Sequence, residues 1–151
     1  MTESFDPARA SAALSDSLQT VLADMVFLDA EPRPSGSVPA TSVGSHAAID
    51  VLKPASFRLE LRMHPEFAAK AASIVLCDDA SRGDDTALEI LNVIAGSFVT
   101  RYFGAGAVPR LELPQFKYFT DGTEGQEICS LDFDVEGLPL RIILSSIRYR
   151  Y

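Results

Sequence analysis

Residues 86–103, TALEILNVIAGSFVTRYF, are the part of the chain from which its architecture can be worked out. Apolar residues recur here at helical spacing and glycines at 104 and 106 follow, so the sequence predicts a helix from about Thr86 to Phe103. At about 100° per residue, one broad side of that helix is apolar and is predicted to lie against a sheet. The side chains on that side are Leu91, Ile94, Ala95, Phe98 and Tyr102.

The segments on either side of this helix predict a sheet and two further helices. Asp6 and Pro7 are typical of a helix start, and residues 57–63 alternate between apolar and charged side chains, as in a strand with one buried face. A tight turn at Glu136-Gly137 is predicted between the last two strands. The order predicts an α+β fold, a two-layer domain in which long helices cover an antiparallel sheet. The predicted elements are a helix over Pro7–Phe27, strands over Ala47–Lys53 and Phe57–Met63, a short helix from Pro65, the helix over Thr86–Phe103, and strands over Arg110–Phe119, Glu127–Val135 and Leu138–Ile147.

The length of the chain, 151 residues, is typical of one domain with a hydrophobic core. We therefore expect a single domain over residues 1–151. Prolines and glycines are concentrated between about residues 30 and 45. That composition predicts an irregular crossover between the first helix and the first strand.

Charge and composition argue against several classes of function. The net charge of −8 makes nucleic-acid binding unfavourable, because that affinity rests mainly on Lys and Arg. No run of about 18 apolar residues is present, and the N-terminus lacks the order of a signal peptide, so a cytoplasmic protein with no membrane partner is expected. Cys77 and Cys129 are interpreted as core thiols. Neither His46 nor His64 has a companion at metal-ligand spacing, so no metal site is predicted.

The other side of the helix at 86–103 carries two polar side chains and a glycine. Glu89, Asn92 and Gly96 fall within about 60° of each other, so a carboxylate and a carboxamide lie one turn apart with open space beside them. Val93 and Val99 are expected to flank them as exposed or half-exposed apolar surface. Two polar groups with an apolar rim favour docking against another protein. These five residues are therefore the candidate site.

Each of the residues on this polar side also has a structural interpretation. Thr86-Ala87-Leu88-Glu89 matches a capping box, in which Glu89 only satisfies a backbone N–H at the helix start. Asn92 is unfavourable in a helix interior by a few tenths of a kcal/mol, and a hydrogen bond to a neighbouring loop would explain it. Gly96 costs roughly 1 kcal/mol relative to alanine, which close packing of another backbone would explain. The sequence leaves these alternatives open, although their occurrence together on one face favours a shared function.

The segment Glu89-Ile90-Leu91-Asn92-Val93-Ile94-Ala95-Gly96 resembles the E-x-x-N helix of the CheX/CheC family of chemotaxis phosphatases. Leu111-Glu112-Leu113-Pro114 is similar to the strand entry that follows this helix in the CheX branch, and the order of elements over Phe57–Cys77 is similar as well. The resemblance covers roughly Ala47 to Ser145. The CheC branch carries two such helices, whereas this chain has one clear E-x-x-N and is closer to CheX.

The resemblance implies a phosphatase that hydrolyses the aspartyl phosphate of a CheY-like response regulator. It implies that Glu89 docks on a lysine of the regulator, while Asn92 enters the regulator's active site and orients the attacking water. It also implies that Mg²⁺ is bound by the regulator's own carboxylates, so that this chain needs no cofactor of its own, and that the chain forms a homodimer. The alternative is a non-catalytic binding module that uses the same face to recognise a signalling partner. A third interpretation is a structural dimer in which Glu89 is only a cap.

Overall fold

The computed structural model of the protein describes residues 5–75, 83–116 and 125–147. Within these ranges the chain forms three α-helices and seven strands. The helices are α1 (Pro7–Val26), α2 (Pro65–Val75) and α3 (Gly83–Phe103), and the strands are β1 (Ala30–Arg33), β2 (Ser45–Lys53), β3 (Phe57–Met63), β4 (Arg110–Leu111), β5 (Gln115–Phe116), β6 (Glu127–Val135) and β7 (Leu138–Ser146).

All seven strands belong to one antiparallel sheet. Its order is β1-β6-β7-β3-β2-β4, and β5 also pairs with β2. Helices α1 and α3 lie against this sheet, and α2 packs on both of them. The predicted α+β fold, an antiparallel sheet covered by long helices, is confirmed. None of the helices among the described residues is both long and apolar enough to cross a membrane.

The core lies between the helices and one face of the sheet. In β3 the predicted alternation holds, because Phe57, Leu59, Leu61 and Met63 are fully buried while the residues between them face the other side. The ring of Phe57 meets the ring of Phe98 on α3 edge-to-face, with 5.4 Å between centroids. Such aromatic pairs add to the hydrophobic effect of burial, so α3 is fixed firmly on the sheet.

Helix α1 runs antiparallel to α3 and is joined to it at several points. It begins as predicted, with the side chain of Asp6 accepting hydrogen bonds from the backbone N–H groups of Ala8 and Arg9. The guanidinium of Arg9 donates to the carbonyl of Tyr102, at 2.9 Å. Near the middle of both helices, Ser97 Oγ donates to Ser17 Oγ at 3.2 Å. One flank of α3 is therefore covered by α1.

The predicted turn at Glu136-Gly137 joins β6 to β7. Both residues have positive φ, 50° and 92°, as a two-residue type I′ turn requires. Glycine adopts this conformation without steric cost at the second position. The two strands predicted around the turn are confirmed, the second ending one residue earlier than expected.

The start of the predicted irregular crossover is in fact a strand. Residues 30–33 form β1 and pair with β6, with Pro32 opposite Phe133. A proline lacks the N–H that an inner strand must donate, but β1 is an edge strand, where proline is tolerated. Residues 34–44 are irregular as predicted, apart from a short 3-10 turn at Ala40–Ser42.

This crossover lies over the face of the sheet that points away from the helices. The backbone N–H of Val38 donates to Asp132 Oδ2 at 3.1 Å, and its carbonyl accepts from Arg141 Nη2 at 2.5 Å. Asp132 is only 2% exposed and also accepts a hydrogen bond from Arg141 Nε at 2.7 Å. The buried carboxylate thus holds the crossover and strand β7 together.

The predicted strand over Arg110–Phe119 is wrong in its continuity. It consists of two short strands, β4 and β5, which both pair with β2 and are separated by Glu112-Leu113-Pro114. Residues 117–119 of the predicted strand lie outside the described residues. So does Cys77, whereas Cys129 is half-buried and has a free thiol.

Candidate functional site

Helix α3 begins at Gly83, three residues before the predicted start. A capping-box glutamate would have to lie in the first turn of the helix. Glu89 is the seventh residue of α3 and therefore lies beyond that turn. Thr86 is itself helical and only 6% exposed. The interpretation of Glu89 as a cap is wrong, which removes the simplest structural reason for a carboxylate at this position.

One side of α3 faces solvent along its length. We call it the exposed stripe and define it by five residues at helical spacing: Glu89, Asn92, Val93, Gly96 and Thr100. Glu89 is exposed, Asn92 is half-buried, and Val93 keeps 40% of its surface exposed. The predicted juxtaposition of a carboxylate, a carboxamide and an apolar side chain on one solvent-facing side is confirmed.

The two polar side chains of the stripe make no hydrogen bond or ion pair with any described residue. Their β-carbons are about 5–6 Å apart, as expected for residues three apart on a helix. The hydrogen bond to a loop that would have explained Asn92 is not found within the described ranges. Glu89 and Asn92 therefore offer a charged acceptor and a neutral donor-acceptor pair to the same external group.

Gly96 lies beside open space. A β-carbon added there would meet no heavy atom within 4 Å. The close packing of another backbone, the structural interpretation of this glycine, is therefore wrong for the described chain. Next to it, Thr100 Oγ1 donates to the Gly96 carbonyl at 3.2 Å, so the threonine hydroxyl turns back on its own helix.

Val99 differs from the prediction, because it is fully buried. The helical wheel placed it beside the polar residues, at the margin of the exposed side. Two helices pack against α3, however, and the hydrogen bonds from Ser97 and Arg101 place α1 on the flank away from Val99. Because α2 also packs on α3, the exposed side of α3 is narrower than the exposed side of a helix that packs on a sheet alone. Val99 therefore belongs to the core beneath the stripe, and its predicted exposure is wrong.

The residues on the buried sides hold the stripe in place. Leu91, Ile94, Ala95 and Phe98 are fully buried, as predicted, and the ring of Phe98 stacks on that of Tyr102 with 5.5 Å between centroids. A helix anchored on three sides presents its exposed side chains from a rigid base, which favours precise positioning of a reacting group. In the described part of the chain, no group of three or more His, Cys, Asp or Glu residues is placed to hold a metal ion.

Arg101 is a neighbour of the stripe that the sequence prediction did not single out. It is exposed, and its guanidinium lies over the α1 flank, with Nε donating to Ser97 Oγ at 3.4 Å and Nη2 donating to Thr20 Oγ1 at 3.3 Å. A basic residue in the last turn of a helix is usually explained by the helix dipole. Only the packing of α1 shows which way the side chain points.

The fold of this chain is that of CheX and CheC-like chemotaxis proteins. The chemotaxis protein CheX from Desulfovibrio desulfuricans has a TM-score of 0.71 at 14% identity, over 89% of this chain and 97% of that chain. The chemotaxis protein CheX from Vibrio vulnificus has a TM-score of 0.71 at 16% identity, over 94% and 99%. A chain of the CheX–CheY–BeF₃–Mg²⁺ complex from Borrelia burgdorferi has a TM-score of 0.67 at 20% identity, over 92% and 98%.

At these identities the likeness shows the fold, and the predicted resemblance to CheX is confirmed at that level. No protein-family model matches the sequence, and no curated protein matches it significantly.

Proposed function

We propose that this chain is a phosphatase that hydrolyses the aspartyl phosphate of a CheY-like response regulator. The observation that carries the proposal is the carboxylate of Glu89 beside the carboxamide of Asn92, both without a hydrogen-bond or ion-pair partner among the described residues, on the solvent-facing side of a rigid helix. A polar side chain with a structural role is expected to be hydrogen-bonded within its own chain, whereas one that acts on a partner protein is expected to be open to that partner. The choice of partner is supported by the fold shared with a chain from a complex that contains CheY.

In the proposed reaction, water attacks the phosphorus in line with the bond to the aspartyl oxygen. That bond breaks, the regulator's carboxylate leaves with the electron pair, and inorganic phosphate is released. A carboxamide does not titrate near neutral pH, so Asn92 is not a general base. Its oxygen can accept a hydrogen bond from the water while its NH₂ donates to a phosphoryl oxygen. Asn92 thus contributes orientation of the nucleophile, which is the main requirement of phosphoryl transfer.

Glu89 supplies docking. As an exposed carboxylate it is suited to form an ion pair with a lysine of the regulator. This ion pair lies away from the reacting atoms, and it would bring Asn92 to the phosphoryl group in a fixed geometry. Val93 contributes apolar contact, since it is one of four large apolar residues that are exposed among those described. Gly96 leaves room for the regulator's backbone to approach the helix.

Three further parts of the proposal concern the setting of this reaction. Mg²⁺ would be bound by the regulator's carboxylates, so no metal ligand is assigned to this chain. The protein would act in the cytoplasm, in a chemotaxis pathway, and as a homodimer. The dimer is tested by sedimentation of the purified protein, in which a single species at the monomer mass up to about 100 µM would reject it.

The decay of a phosphorylated regulator tests the catalytic proposal. CheY-like receiver domains from the same genome would be phosphorylated with acetyl phosphate and Mg²⁺, and their decay followed alone, with this protein and with its variants. We expect faster decay with the parent and a loss of about 100-fold or more with Asn92→Ala, since positioning is lost. Gln126→Ala is the matched control, because it truncates an exposed carboxamide next to the start of strand β6, away from the stripe.

The result also decides between catalysis and recognition. Binding of BeF₃-activated receiver domains by the parent, without faster decay, would replace the phosphatase by the non-catalytic binding module. Equal turnover by Asn92→Ala and the parent would remove the chemical role of Asn92. No binding and no turnover across the whole set would reject the response regulator as partner.

A further inference from the structure

We propose that Arg101 binds an acidic group on the response regulator and thereby fixes the direction in which the regulator lies along α3. This inference rests on the proposed function and adds a specificity-determining residue to its docking surface. It depends on the position, the charge and the spacing of Arg101 relative to the exposed stripe.

The position of the guanidinium follows from its two hydrogen bonds. Nε donates to Ser97 Oγ at 3.4 Å, one turn nearer to the site, and Nη2 donates to Thr20 Oγ1 on α1 at 3.3 Å. The side chain therefore extends back along the helix toward the level of Gly96. Arg101 is exposed, so the charged group borders the stripe on the side of α1.

The charge of Arg101 is not neutralised within the described chain. Both of its acceptors are neutral hydroxyls, and no carboxylate of a described residue lies within 4.0 Å of it. Two of the five guanidinium N–H groups are used, which leaves three to bind a carboxylate. Among the other described arginines, Arg33, Arg58, Arg62 and Arg141 are paired with a carboxylate, whereas Arg9 and Arg110 are not.

Glu89 and the guanidinium of Arg101 are close enough along α3 for a single partner protein to cover both. At 1.5 Å per residue, the level of Ser97 is about 12 Å from Glu89 and about 7.5 Å from Asn92 along the helix axis. One side of a standard protein interface covers about 800 Å², a patch roughly 30 Å across. A regulator that places its phosphoryl group at Asn92 would therefore cover Glu89 and the guanidinium of Arg101 together.

Opposite charges at the two ends of the surface make docking directional. The regulator must present a basic group to Glu89 and an acidic group to Arg101. Rotating it by half a turn would bring like charges together, which selects against that orientation. Asn92 lies between the two charges, so the same contacts that set the direction also bring the phosphoryl group to the carboxamide.

A structural role for Arg101 is the competing explanation, since its hydrogen bonds connect α3 to α1. At 3.4 and 3.3 Å these bonds are longer than the usual range for N–H···O hydrogen bonds, and they go to uncharged oxygens. Removing the charge would then alter stability and leave the kinetics of the folded protein unchanged. The two roles therefore differ in their kinetic readout.

The experiment compares Arg101→Gln with Arg110→Gln in the dephosphorylation assay. Arg110 is also exposed, but it lies on strand β4 at the sheet edge, and both changes remove one positive charge. We expect Arg101→Gln to raise KM for the phosphorylated receiver domain about three- to tenfold with kcat unchanged. The difference should narrow as salt rises from 50 to 300 mM. Arg101→Lys should recover part of the loss, and Arg110→Gln should behave as the parent.

An unchanged KM for Arg101→Gln, with turnover that still depends on Asn92, would overturn the docking role and leave the phosphatase proposal standing. If the parent does not accelerate decay, affinity for the BeF₃-activated receiver domain provides the readout. A three- to tenfold weaker affinity of Arg101→Gln would then support the docking role alone. A parent that binds no activated receiver domain would overturn both proposals.

Discussion

Replacing Gly96 by alanine should make the protein more stable and less active. Gly96 lies inside α3, its φ is not positive, and a β-carbon there meets nothing within 4 Å. Nothing in the described chain opposes the methyl group, and alanine is favoured over glycine in a helix interior by about 0.5–1 kcal/mol. For a chain of this length, 1 kcal/mol raises Tm by about 2–4 °C.

The same methyl group would occupy the space that the proposed complex gives to the regulator. Adding a methyl to a well-packed contact costs about 1–3 kcal/mol, and 1.4 kcal/mol corresponds to a factor of ten in affinity. The KM for the phosphorylated receiver domain should therefore rise about tenfold. Stability and substrate affinity are expected to change in opposite directions, which separates this effect from general damage to the fold.

Thermal unfolding followed by circular dichroism and the dephosphorylation assay measure the two effects. Gly106→Ala is the control, because Gly106 also has open space at its β-carbon and no positive φ, but lies in the loop after α3. A lower Tm for Gly96→Ala would show that the backbone there is constrained by the fold. An unchanged KM would refute the placement of the regulator against Gly96.

Two further predictions concern single carboxylates. Glu89→Ala should change the free energy of unfolding by less than about 0.5 kcal/mol in urea titrations, because Glu89 is exposed, lies beyond the first turn of α3 and has no ion-pair partner among the described residues; a loss near 1 kcal/mol would restore the capping role. Burial alone would raise the pKa of Asp132, but the hydrogen bonds from Arg141 and from the Val38 N–H hold this pKa below its usual value. Such a carboxylate stabilises the fold while it is ionised, so its contribution should be complete above the unfolded pKa of about 3.9 and be lost as pH falls through the lower folded value. Urea unfolding between pH 5 and pH 2 measures this slope, and Asp132→Asn should flatten it; an equal slope in both proteins would contradict the assignment.

The parts of the fold set by local pattern could be predicted from the sequence. Strand β3 was predicted to the residue, because apolar and charged side chains alternate along it in a way that few other structures produce. The charged face is not open to solvent as predicted, since Glu60 on it is only 6% exposed. The turn at Glu136-Gly137 was equally local, since glycine at its second position suits positive φ. Helix α1 was placed within one residue by its N-cap.

The parts that depend on distant partners could not be predicted in this way. Residues 30–33 read as a loop because of Pro32, and they become a strand only because the edge of β6 is available to pair with them. The strand predicted over Arg110–Phe119 is divided into β4 and β5, which both pair with β2, and the β2–β4 pairing is itself irregular between Val51 and Lys53. The strand propensity of a segment carries no information about the strand that will lie beside it, which is β6 for residues 30–33 and β2 for β4 and β5.

The candidate site shows the same division. Helical spacing was enough to bring Glu89, Asn92 and Gly96 to one side, since that requires only the helix itself. It was not enough for Val99 or Arg101, whose surroundings depend on how α1 and α2 pack on α3. The width of an exposed helix face is a property of its neighbours, and one sequence segment does not contain it.

The exposed stripe contains residues that are less favourable for the stability of α3 than alanine would be. Relative to alanine, Asn92 and Gly96 together make α3 less stable by about 1 kcal/mol. No side-chain hydrogen bond or ion pair with a described residue compensates Asn92, and a β-carbon at Gly96 would meet no atom within 4 Å. Glu89 adds a charge that neither caps the helix nor forms an ion pair in the described chain. Sequences agree with their fold at most positions, and the positions that break local rules without structural gain are typical of functional sites. Three such positions on one solvent-facing side of one helix support the proposed partner, which would contact all three at once.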